Sequence, residues 1–70
     1  MMEDSNFNLN LDGKKMLMNG NITIQVLLDR LGIHYEDVLV IDVKNTRLLT
    51  SDNRIYRGDS IEIRTVYSKG

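Results

Sequence analysis

The residues best equipped for chemistry in this chain are few, and their spacing does not bring them together. His34 is the only histidine, and with Glu36 and Asp37 close by it suggests a metal or acid–base site. Neighbouring loop positions do not converge on one point as a ligand set must, so a solvated polar loop is the stronger reading. Asp29, Asp42 and Glu62 form no recognisable carboxylate pair. Arg54, Arg57 and Arg64 are accompanied by Asp52, Asp59 and Glu62, which makes a mixed surface and not the concentrated positive field that phosphates need. No cysteine is present, which excludes disulfides, thiolate zinc sites and thiol nucleophiles. The 5 glycines are scattered at turns and at the terminus, and none belongs to a phosphate-cradling loop. Asn21-Ile22-Thr23 matches a glycosylation acceptor but follows no secretory signal. Catalysis by this chain's own side chains, with a metal or a bound cofactor, is therefore not expected.

The elements that must position these groups are easier to read. Phe7, Leu9 and Leu11 alternate with Asn6, Asn8 and Asn10 at the two-residue period of a half-buried strand. Asp12-Gly13 suits a tight hairpin turn, and Lys14 to Met18 returns as a second strand, with Met16 and Met18 toward the core or its rim. After the Asn19-Gly20-Asn21 loop, Thr23 caps a helix over about 23–31, in which Ile24, Leu27, Leu28 and Leu31 repeat at helical spacing. Gly32 stops it, and Ile33 packs back on its last turn. His34 to Asp37 connect to a β-branched strand, Val38 to Val43. Lys44-Asn45 turns, Arg47 to Thr50 gives a brief strand, Ser51 to Arg54 a loop, and Arg57-Gly58-Asp59 launches a last strand, Ser60 to Val66. The order predicts an α+β fold, with one mixed sheet of four to five strands curved over one main helix.

At 70 residues the chain makes one domain, held together by packing alone. Its 9 Lys and Arg against 10 Asp and Glu are interspersed, giving a net charge of -1 and no basic block, so nucleic acid is not an expected partner. Met1 to Asn6 carries Glu3 and Asp4 and no apolar run, so neither a signal peptide nor a membrane span is expected, and the expected location is cytoplasmic.

In three segments and their order the sequence resembles the sulfur-carrier β-grasp proteins, the ubiquitin-like family typified by the small subunits of the thiamin pathway and of molybdopterin synthase. The segments are Ile22 to Ile33, with the helix and its glycine stop; Val38 to Val43; and Arg57 to Ile63, with a Gly-Asp turn and closing strand. The likeness runs from about Asn8 to Gly70 and is nearer to the thiamin-pathway carrier. It implies a flexible N-terminal extension (1–6), a ubiquitin-like β-grasp domain (7–66) and a flexible C-terminal tail (67–70). It further implies that Gly70 is the covalently modified residue. An adenylating partner enzyme would use ATP to activate the Gly70 carboxylate, and a sulfur nucleophile would convert it to a thiocarboxylate for a sulfur-accepting synthase. The carrier itself would be a monomer when free. The family normally ends Gly-Gly, whereas here Ser68-Lys69-Gly70 stands at the end. The alternative is a β-grasp module that binds a protein non-covalently and is never activated.

Both readings need a docking surface. With Asp42 turned to solvent, alternation sends Val38 and Val40 to the outer face and leaves Leu39, Ile41 and Val43 to pack on the helix. Val66 shares its outward phase with Glu62 and Arg64. The residues expected to bind partners are therefore Val40, Arg64 and Val66, together with Tyr67, Ser68 and Lys69 of the tail.

Overall fold

A computed structural model describes residues 5–66 of the chain. Strand β1 (Asn6–Leu11) and strand β2 (Lys14–Asn19) form a hairpin about Asp12 and Gly13, whose φ angles of 50° and 92° are those a two-residue turn requires. Helix α1 (Ile24–Leu31) follows, then a 3-10 turn (Tyr35–Asp37), strand β3 (Val38–Asp42), the two-residue strand β4 (Arg47–Leu48) and strand β5 (Ser60–Thr65). The strands make one five-stranded sheet in the order β2-β1-β5-β3-β4. β1 and β5 run parallel at its centre and every other pairing is antiparallel. The α+β class, the mixed sheet and the one main helix are as expected.

Helix α1 forms where its end signals lie. Thr23 is the N-cap and its hydroxyl accepts from the Val26 N–H, while Gly32 closes the helix at φ 72°. Ile33 N–H donates to the Leu28 carbonyl, so the chain turns back as the glycine stop implies. The other first-turn donors are met by the long loop before β5: Ile24 N–H reaches the Asn53 carbonyl and Gln25 N–H the Ser51 carbonyl. The same loop inserts Ile55, fully buried, and ties it to the Ile22 carbonyl at 2.7 Å. The core joins Phe7, Leu9, Ile61 and Ile63 of the central strands to Ile24, Leu27 and Leu28 of the helix. Met16 and Met18 are half-buried against it, the rim position expected of them.

Several boundaries differ from expectation: β2 runs one residue further, to Asn19, and β5 ends one residue sooner, at Thr65. β1 begins at Asn6, whose carbonyl accepts from Gly58 N–H. β3 ends at Asp42, and the brief strand keeps only Arg47 and Leu48.

The phase of β3 is the opposite of that expected. Val38 and Val40 face the helix at 6% and 2% exposure, whereas Leu39 and Val43 lie open on the outer face at 42% and 48%. The cause is Asp42, which is buried at the rim of the core and not turned to water. Its carboxylate accepts from the Asn45 backbone N–H at 3.3 Å and the Asn45 side-chain amide at 2.8 Å, and Arg47 lies 3.5 Å away. A carboxylate satisfied in this way is tolerated out of water, so its charge did not fix the direction of the strand.

Candidate docking face and chain exit

The sheet has one face covered by α1 and one bare face. On the bare face the register brings apolar side chains into one strip: Leu39 and Ile41 along β3, Val43 just beyond it, and Leu48 directly across from Ile41 on β4. Leu48 is 64% exposed, the most open large apolar side chain of the described residues. Arg64 lies opposite Leu39 and Glu62 opposite Ile41 on β5, and the two charges are joined at 2.9 Å. The result is an apolar strip bordered by an ion pair, the combination of greasy centre and polar rim that protein interfaces use.

At the end of β5 the backbone is held from both sides. Asp12, in the hairpin turn, donates its N–H to the Ile63 carbonyl. Its carboxylate accepts from the Thr65 N–H at 2.8 Å and from the Thr65 hydroxyl. These bonds, the hydroxyl's foremost, hold the Asp12 carboxyl below its ordinary pKa. Val66 N–H then donates to the Asp37 carbonyl, and the Val66 side chain is exposed. The chain leaves the sheet at a defined point, beside the 3-10 turn that leads into β3.

Of the residues expected to bind partners, Arg64 and Val66 are exposed as read from sequence. Val40 is not: it packs in the core, through the reversed phase of β3, and contributes nothing to the outer face. Tyr67, Ser68, Lys69 and Gly70 lie outside the described residues. The residues missed were Leu39, Ile41, Val43 and Leu48. A signal for them was present in Asp42-Val43-Lys44-Asn45, because an Asp that caps its own turn three residues on is tied to the backbone and need not point outward.

The remaining candidates stay apart. His34, Glu36 and Asp37 are exposed around the 3-10 turn, and no group of three potential metal ligands occurs among the described residues. Arg54 is bound to the Asn21 carbonyl at 2.6 Å, a structural tie across the start of the helix. Among the described residues no helix is long and apolar enough to cross a membrane. No family model matches the chain, and no curated protein shows significant sequence similarity to it.

Proposed function

We propose that this protein is a ubiquitin-like β-grasp sulfur carrier, docked through its bare sheet face and reactive at the Gly70 carboxylate. The observation that carries the reading is the sheet order β2-β1-β5-β3-β4, with the last strand at the centre and parallel to the first. In such an arrangement the segment after β5 emerges from the most firmly held strand, next to the apolar strip, so a partner that grips the strip also finds the tail. The reading requires that the working chain end at Gly70. A partner would then join the Gly70 carboxylate to the α-phosphorus of ATP, releasing pyrophosphate, and a sulfur nucleophile would displace AMP to leave a thiocarboxylate. Glycine suits the reacting end because, lacking Cβ, it lets the backbone approach a partner's site closely. The carrier supplies no catalytic side chain and binds no cofactor. Arg64, Val66, Tyr67, Ser68 and Lys69 make the contacts around the exit, with Lys69 requiring an acidic or wide channel one residue from the carboxylate.

Exposure of Leu39, Val43 and Leu48 favours a second reading, a β-grasp module that binds its partner through the strip alone. Replacing the native gene by one that lacks the Gly70 codon separates the two. The carrier reading expects a chain that melts at the unaltered temperature and leaves the cell with the full defect of a gene deletion. A cell supported as well by the shortened chain as by the intact one contradicts the carrier and favours the binding module.

A further inference from the structure

Strand β2 lies at one edge of the sheet and is apolar on both of its faces. Met16, Leu17 and Met18 follow one another: the two methionines rest half-buried against the core, and Leu17 stands on the bare face at 63% exposure. Asn8 of β1 and Ser60 of β5 lie between Leu17 and Val43 in the register, so the strip on β3 and β4 does not account for it. An edge strand with exposed apolar side chains is a site at which another strand pairs. The opposite edge, β4, has only Arg47 and Leu48 and is too short for that.

The backbone of this edge is open at alternate residues. Asp12 and Gly13 form a two-residue turn, so Leu11 and Lys14 close it as a hydrogen-bonded pair, and Leu9 with Met16 and Phe7 with Met18 continue the alternation. Lys15, Leu17 and Asn19 therefore turn their N–H and C=O groups to the free edge. Among the described residues the one group that reaches it is the Arg30 guanidinium, on the Asn19 carbonyl at 3.2 Å, and that oxygen keeps a second lone pair. Lysines on an edge ordinarily oppose pairing, but here Lys14 and Lys15 stand at one end of the strand and uncharged Asn19 and Gly20 at the other. Parallel pairing of two such strands in register stacks lysine on lysine. Antiparallel pairing about a two-fold axis at Leu17 sets Lys15 across from Asn19 and Lys14 across from Gly20, so that no like charges meet.

We infer that β2 is the self-association edge of this chain, pairing antiparallel with β2 of a second copy about Leu17 to join two sheets into one. The open N–H and C=O groups of Lys15, Leu17 and Asn19 meet those of Asn19, Leu17 and Lys15 of the second copy. Leu17 then packs on its own counterpart, and Met16 on Met18 of the second copy where the two cores adjoin. This departs from the free monomer that the family resemblance implies. It leaves the strip and the chain exit uncovered and needs no activation of Gly70, so it fails or stands apart from the carrier reading.

The test follows diffusion and amide hydrogen exchange of the full chain as its concentration rises to about 1 mM, the weak end of specific affinity and the range that suits a small interface. Diffusion should slow to that of a dimer. Exchange at the Lys15, Leu17 and Asn19 N–H groups should slow with it, whereas Met16 and Met18, already bonded within the hairpin, should not respond. Leu17→Lys sets two like charges face to face on the axis and should weaken association at least about tenfold, while the dilute chain, altered at an exposed position, melts as before. Asn19→Lys, which meets Lys15 of the second copy twice over, should weaken it at least about threefold. Adding Lys15→Asn to that variant exchanges the two residues, rebuilds the same cross-strand pairs and should restore association. Unaltered diffusion at about 1 mM, association indifferent to Leu17→Lys, or an exchanged variant that stays as weak as Asn19→Lys alone overturns the proposal. Protection that grows at Leu39 and Leu48 and not at β2 overturns it in favour of pairing through the bare face. Alternate protection along β2 that is already complete in the dilute chain assigns the edge to another segment of the same chain and overturns it equally.

Discussion

Asp42 shows how much of this molecule turns on one side chain. A charged residue in an otherwise apolar strand is the natural marker of its wet face, and here it marks the dry one, because Asn45 and Arg47 satisfy the carboxylate at the rim of the core. The strand itself was plain in the sequence; its direction was not, since apolar residues occupy both sides of it. Two substitutions test the assignment. Val40→Ala should cost about 2 kcal/mol in urea unfolding through lost burial, and Leu48→Ala should stay within about 0.5 kcal/mol, as exposed positions do. The reverse order of costs would put the helix on the other face. The Asp42 pKa is lowered chiefly by the Asn45 side-chain hydrogen bond, which outweighs burial, and Asp12 is lowered by Thr65. A carboxyl depressed in the folded state contributes stability that is fully present above its unfolded value, near 3.8, and is lost as pH falls through the folded value. Melting temperature should therefore drop on acidification below pH 3.8, and an Asp42→Asn variant should show a smaller drop over the same range.

The elements were legible to the extent that their end signals are local. Thr23 and Gly32 delimit the helix in sequence as they do in space, and the Asp12-Gly13 turn fixes the register of the hairpin from Leu11 and Lys14 to Asn6 and Asn19. The loop between β4 and β5 gave no such signal. Its structure is set by non-local bonds, from Ile24 and Gln25 to the Asn53 and Ser51 carbonyls, and by Ile55, an apolar residue among polar ones that fills the core beside the helix start. Ile55→Ala is expected to cost about 2 to 5 kcal/mol, the range for a fully buried aliphatic side chain and unusual for a loop position. Thr23→Ala removes only the Val26 N–H acceptor and should cost about 1 kcal/mol. Thermal or urea unfolding reads both, and near-equal costs would mean that the loop is not part of the core.

Across the whole molecule, the order of the elements in sequence predicted a mixed sheet over one helix, and the parallel pairing of the first and last strands is the long-range step that closes it. That pairing also determines what the fold presents: a covered face for stability, a bare face with the Leu39 to Leu48 strip, and an exit at Val66 held by Asp37 and, through Thr65, by Asp12. The bare face was foreseen as a docking surface but with Val40 in it, an error inherited wholly from the phase of one strand. The carrier chemistry is a further step, resting on the resemblance in Ile22 to Ile33, Val38 to Val43 and Arg57 to Ile63 and on the sheet order. The most direct measurement is the intact mass of the protein isolated from its native cell, with fragmentation of its last peptide. A sulfur carrier predicts a fraction heavier by one sulfur-for-oxygen exchange, localised to Gly70. A chain that carries only oxygen at that carboxylate under every growth condition, or that continues past Gly70 in its mature form, would contradict the account.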